Sequence, residues 1–147
     1  MAEFTADAVQ IVNPGETVIF TNTTIPCQSG NVRHSDGTGS VLLNGGAMNQ
    51  SGCCCVSRFV EYQAKFGANI AVATGGTVGE ISLAFVIDGA TVPASTMSVT
   101  PAAVEEFFNV SRDKSVPVWR GCCQTLGIRN ISDQPVSVRN ASLIVTM

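Results

Sequence analysis

From Val60 to Val72 the chain alternates. Val60, Tyr62, Ala64, Phe66, Ala68, Ile70 and Val72 fall on one face, with Phe59, Glu61, Gln63, Lys65 and Asn69 on the other. A repeat of two is the side-chain period of a β-strand, and a helix would scatter these residues around its axis. A strand of this length, bent at Gly67, commits the chain to a sheet with one buried face. Residues 80–87 repeat the pattern, with Ile81, Leu83, Phe85 and Ile87 opposed by Ser82, Ala84 and Val86. The second set carries no charge, so both faces of this strand are expected to be covered. The strand is therefore read as central or packed against a neighbouring subunit, with Ser82, Ala84 and Val86 as the candidate subunit contact. Asp88-Gly89 follows, a dipeptide that tolerates positive φ and closes a tight hairpin.

The rest of the chain reads the same way. Asn13-Pro14-Gly15 is a turn, and residues 16–20 form a β-branched strand. Short strands are expected at Val32–Ser35 and Ser40–Leu43, and the cluster NGGAMNQSG leads into Cys53-Cys54-Cys55. Residues 104–110 are read as a strand, Ser111–Lys114 as a polar turn, Val116–Trp119 as a short strand, Gly121–Arg129 as another and Val136–Val145 as the last. No helix of any length is predicted. About eight to ten strands at regular spacing indicate an all-β antiparallel sandwich. A ten-strand jelly roll fits best, with an immunoglobulin-like sandwich as the alternative. Residues 1–15 are assigned to an N-terminal arm or edge strand and residues 16–147 to the sandwich domain.

Composition narrows the function. Charged residues make up 13% of the chain and hydrophobic ones 45%, against roughly 25% charge in ordinary soluble domains. A surface so short of charge predicts burial against other copies or partners. Net charge is −3 and the pI about 4.9, with no basic run, which argues against nucleic acid. No apolar stretch is long enough to span a membrane as a helix, and the first residues, MAEFTADAV, lack the features of a secretory signal.

The residues that could carry chemistry form no recognised constellation. Cys27, Cys53, Cys54, Cys55, Cys122 and Cys123 lack the spaced pairs of a zinc site, and adjacent cysteines on a strand point to opposite faces. They are read either as disulfides, for which the 53–55 run and the 122–123 pair are candidates and Cys27 could bridge subunits, or as packed thiols. His34 stands beside Arg33, Ser35 and Asp36 without a nucleophile elbow. Glu105-Glu106 reads as a solvated pair, and the Gly-rich TGGTVG lacks the Lys-Ser/Thr ending of a phosphate loop. Asn22, Asn49, Asn109, Asn130 and Asn140 each begin an Asn-x-Ser/Thr triplet, and these are read as turn residues. No metal, cofactor or catalytic residue is expected. Trp119, Tyr62 and His34 are the candidates for surface binding.

The block TGGTVGEISLAFVIDGATVPASTMSVTPAAVEEFFNV, followed by GCCQTLGIRNISDQPVSVRNASLIVTM, resembles small proteins of phages and prophages of gut Firmicutes. It is also similar to the tumour necrosis factor-like jelly roll that caps collagen-like glycoproteins of spore surfaces. The resemblance covers about Arg58 to Met147 and implies a compact trimer on a particle surface. Leu143 and Val145, in the last strand, would by that analogy lie near the threefold axis. The chain lacks the Gly-X-Y stalk of the spore proteins, which favours a virion component. The expectation is a non-enzymatic homotrimer, made in the host cytoplasm, that binds capsid or other particle proteins as a decoration or head-fibre protein. The alternative is a tip or adhesin domain that binds a host-surface glycan.

Overall fold

The computed structural model describes residues 1–46 and 58–147. Its strands in chain order are β1 (Ala2–Ala6), β2 (Gln10–Val12), β3 (Asn22–Ile25), β4 (Val32–His34), β5 (Val41–Asn44), β6 (Phe59–Val72), β7 (Ile81–Ile87), β8 (Ala90–Thr91), β9 (Met97–Val99), β10 (Phe108–Trp119), β11 (Cys123–Asn130) and β12 (Val136–Thr146). A single 3₁₀ turn at Pro93–Ser95 is the only helical element among the described residues. The strands build two antiparallel sheets. One runs β10-β6-β12-β1-β3, with β2 also on β12; the other runs β4-β5-β11-β7-β8, with β9 also on β7.

The core lies between the two sheets, where the even-numbered side chains of β6 meet the odd-numbered ones of β7. Tyr62, Phe66, Ile70, Ile81, Leu83 and Phe85 are fully buried there, joined by Phe4, Phe20, Leu43, Ile128 and Leu143. Each such side chain contributes about 1.5–3 kcal/mol on leaving water. The Asp88-Gly89 turn forms as expected: both residues have positive φ (50° and 81°), and β8 returns against Val86 and Ile87.

Several expectations are corrected. The first residues are not an arm or an edge: β1 lies between β12 and β3, and Phe4 is buried in the core. Residues 16–20 make only isolated bridges, Thr17 to Arg129 and Phe20 to Thr38, although Val18 and Phe20 are buried. Ser111–Lys114 is not a turn but the middle of the 12-residue β10, whose partner throughout is β6. This strand ends its sheet, and its polar centre suits an edge that must not recruit further strands. Of the strand expected over 104–110, residues 104–107 are loop and only 108–110 are strand, as the start of β10. The irregularity expected at Gly67 sits in its partner, because β12 carries a bulge between Arg139 and Ser142 with Asn140 at φ 51°.

The proposed subunit contacts are also corrected. Leu143 and Val145 face the core with no exposed surface. Ala84 is fully buried, and Ser82 and Val86 nearly so, within the chain itself. Ser82 shares a hydrogen bond with Ser98 of β9 (2.8 Å), and Arg129, the cross-strand partner of Ala84, lies on the same face. The uncharged face of β7 is therefore buried within the chain itself.

Candidate functional site

With the core accounted for, the outward face of the β10-β6-β12-β1-β3 sheet remains as the broad surface. It presents the residues that alternate with the core positions, among them Glu61, Gln63 and Lys65 of β6, Ser115 and Trp119 of β10 and Ile144 of β12. Phe59 stands directly opposite Trp119 in the ladder. Their rings meet edge to face, with centroids 6.0 Å apart and planes at 72°, yet Phe59 is 41% and Trp119 57% exposed. Two adjacent aromatics left in water are costly unless something covers them, and such pairs are favoured anchors of interfaces. Beside them Ser115 donates to Glu61 Oε1 and Gln63 Nε2 donates to Ser115 Oγ, each at 2.5 Å.

The backbone holds Trp119 in place. After it the chain turns through Gly121, at φ 80°, and Cys122 N–H donates to the Trp119 carbonyl at 3.1 Å. Gly45 passes so close that any β-carbon there would collide with the same carbonyl. Trp119 is thus a rigidly mounted surface residue.

The other two surface candidates lie elsewhere, and neither is a surface residue. Tyr62 is buried in the core and its hydroxyl donates to the Asn44 carbonyl at 2.6 Å. Burial raises the phenol above its ordinary range, with a smaller push from the Cys27 charge. The His34 side chain has no exposed area and packs on Phe4 (4.9 Å) and Phe20 (6.1 Å). Its Nε2 lies 3.0 Å from the Thr38 carbonyl; a carbonyl can only accept, which assigns the proton to Nε2. Both residues carry polar atoms on apolar bodies, and the apolar bodies decided their placement.

Cys27 and His34 line one open cleft of about 700 Å³, together with Phe4, Arg33 and Leu42. Cys27 Sγ lies 3.2 Å from Ser29 Oγ. Partial burial pushes the thiol up, but hydrogen bonds from the Ser29 hydroxyl and from the backbone of Val32, Ser29 and Asn31 outweigh it and bring the pKa down to about 7. Cys27, Cys122 and Cys123 are free thiols, the last two exposed on the turn into β11; Cys53, Cys54 and Cys55 lie outside the described residues. Among the described residues no three His, Cys, Asp or Glu side chains converge as metal ligands. Glu105 and Glu106 serve the loop: Glu105 accepts from Thr74, and Glu106 from the amides of Ala102 (3.0 Å) and Ala103 (3.1 Å).

No family model matches the chain, and no curated protein matches it by sequence. Solved structures do match by shape. The globular domain of zebrafish complement 1qA is 10% identical over 99% of this chain and 94% of its own, with a TM-score of 0.65. The Eiger TNF of S. frugiperda is 9% identical over 98% of this chain and 88% of its own, with a TM-score of 0.66. A family 35 carbohydrate-binding module from Cellvibrio japonicus Abf62 aligns at 13% identity over 99% and 93% of the two chains, but its TM-score of 0.41 is too low to bear on this fold. The chain is an all-β, antiparallel jelly-roll sandwich similar to the C1q and tumour necrosis factor domains.

Proposed function

We propose that the protein is a non-enzymatic structural component of a phage virion, a homotrimer that decorates the capsid or forms a head fibre and adds stability through bound area. The exposed Phe59–Trp119 pair, on the outward face of the β10-β6-β12-β1-β3 sheet, is the observation that carries this reading. Interface cores are depleted in charge and enriched in aromatics, and the chain as a whole has only 13% charged residues. The sequence resemblance to phage and prophage proteins supports the particle. The fold supports a binding domain, and the virion surface is the proposed location. The mechanism is surface matching: binding to the assembled shell stabilises it by mass action.

Sedimentation analysis tests the first half. A species of three times the 15.3 kDa chain mass is expected, and a monomer at tens of micromolar would overturn it. Co-sedimentation with capsids tests the second half, and no binding to particles would remove the decoration role.

A second reading is a glycan-binding tip, favoured by the accessible ring of Trp119, since a flat exposed indole suits the apolar face of a sugar. A glycan array probed with the assembled protein decides it, and an array without hits would eliminate it.

A further inference from the structure

Next to the aromatic pair, the outward face of β6 and β10 carries two further rows of the ladder. Glu61 stands opposite Pro117, and Gln63 opposite Ser115. Residues directly opposite in a ladder share a face, and rows two residues apart lie about 7 Å from one another. Glu61, Gln63 and Ser115 hold each other in place. Ser115 Oγ donates to Glu61 Oε1 (2.5 Å), while Gln63 Nε2 donates to Ser115 Oγ (2.5 Å) and to the same carboxylate oxygen (3.2 Å). A carboxylate only accepts, so its bond to Gln63 settles which end of that amide is the nitrogen. Among the described residues, Glu61 Oε2 and Gln63 Oε1 accept no hydrogen bond, and both residues are exposed. Two acceptors therefore stand open to solvent beside an exposed indole.

We infer that this face seats a neutral sugar, stacked on the Trp119 indole and bonded through its hydroxyls to Glu61 Oε2 and Gln63 Oε1. The inference rests on the glycan reading above and gives that reading residues and a class of sugar. Three observations favour it. The indole is 57% exposed even though Phe59 meets it edge to face, so open ring surface remains for the C–H groups on the apolar face of a pyranose. Pro117, exposed in the adjoining row, extends that apolar floor toward Glu61. The open polar atoms are both acceptors, which suits sugar hydroxyls as donors; the carboxylate of an acidic sugar brings acceptors only, and the charge of Glu61 repels it. The row beyond sets Lys65 opposite Asp113, one charge of each sign, which leaves Glu61 to decide the local balance. Finally, the Glu61–Ser115–Gln63 bonds and the fixed mounting of Trp119 hold these groups in position before a ligand arrives, which reduces the ordering that binding must impose.

The test is an NMR titration of the wild-type protein, following the assigned Trp119 Nε1–H and the Gln63 side-chain amide. The probes are methyl β-D-glucoside, methyl β-D-galactoside, D-glucuronate and glycerol. Saturable shifts of both reporters with at least one of the two glycosides are expected, and none with glycerol, which has hydroxyls but no ring face. Glucuronate should bind about tenfold more weakly than that glycoside, the worth of one hydrogen bond to a charged acceptor. Glu61→Gln keeps the shape and removes the charge; it should weaken the glycoside about fivefold and narrow the gap to glucuronate. Trp119→Ala should weaken it about tenfold or more. Glucuronate binding as tightly as the glycoside, a Gln63 amide that stays still while Trp119 responds, or a folded Glu61→Gln with wild-type affinity would each overturn the inference and leave the glycan reading standing. Shifts with neither glycoside would end both.

Discussion

Asn130 on β11 donates to the carbonyl of Val12 on β2 (2.9 Å), a residue 118 positions away and in the other sheet. The same amide donates to the Gln134 carbonyl (2.9 Å), and its Oδ1 accepts from Ser132 N–H (2.8 Å). A fully buried side chain thus rivets the two sheets at one end. Its Asn-x-Ser triplet marks a structural residue, inaccessible to a glycosyltransferase in the folded state.

Asn130→Leu should therefore be costly. It removes both donors and the acceptor while leaving two carbonyls and an amide to find other partners. A loss of about 2–4 kcal/mol is expected, which for this size lowers the Tm by roughly 5–15 °C. Thermal unfolding followed by circular dichroism measures it, and a Tm within a degree of wild type would show that the rivet is dispensable.

Ala84→Lys should break the fold rather than the assembly. Ala84 has no exposed area, and Arg129 already occupies the facing position on β11. A second cation placed there would be buried against the first, a loss of more than about 4 kcal/mol. Insoluble or unfolded protein is the expected outcome, and a soluble, folded monomer would return this face to the list of subunit contacts.

Trp119→Ala should act in the opposite sense. The ring is more than half exposed but meets Phe59 edge to face, so the variant should lose no more than about 1.5 kcal/mol of unfolding free energy. Loss of an aromatic anchor costs an interface about 2 kcal/mol or more. On the proposed trimer, sedimentation equilibrium of the variant should show dissociation at concentrations where the wild type stays assembled.

Cys27 should alkylate early in a pH titration. With its pKa brought down from 9.0 to about 7, the thiolate fraction rises with pH through about 7 and levels off above it. At pH 7 that fraction is roughly fiftyfold that of an ordinary thiol, offset in part by the lower nucleophilicity of a less basic sulfur, for a net gain of about sixfold. Iodoacetamide labelling followed by peptide mass spectrometry should give a midpoint near 7 for Cys27. A midpoint near 9 would mean that the Ser29 and backbone hydrogen bonds do not hold the thiolate.

The long central strands were legible from alternation because one face of each is dry and the other wet. Tyr62, Phe66 and Ile70 lie where that pattern puts them. What alternation does not encode is the identity of the covering partner. Ser82, Ala84 and Val86 form an uncharged face, and nothing in their order tells a neighbouring subunit from the rest of the same chain. Leu143 and Val145 are placed near a threefold axis only by the resemblance, and an analogy of that kind does not say which face of the last strand turns to the chain's own core. A polar run such as Ser111–Lys114 looks like a turn in sequence, and an edge strand is a place where such a run stays extended. The bridge of Thr17 to Arg129 on β11 could not be read in sequence either, because such a pairing has no local signal.

β12, the final strand, lies between β6 and β1. On a ribosome it is made last, so until it arrives β6 and β1 each present an open edge and the first sheet is in two pieces. Its pairing with Ala2–Ala6 joins the two extremes of these residues, and contacts of such long range make folding slow. The first sheet therefore stays open until β12 has been made, and a truncation anywhere in that strand would remove the middle of the sheet rather than its margin.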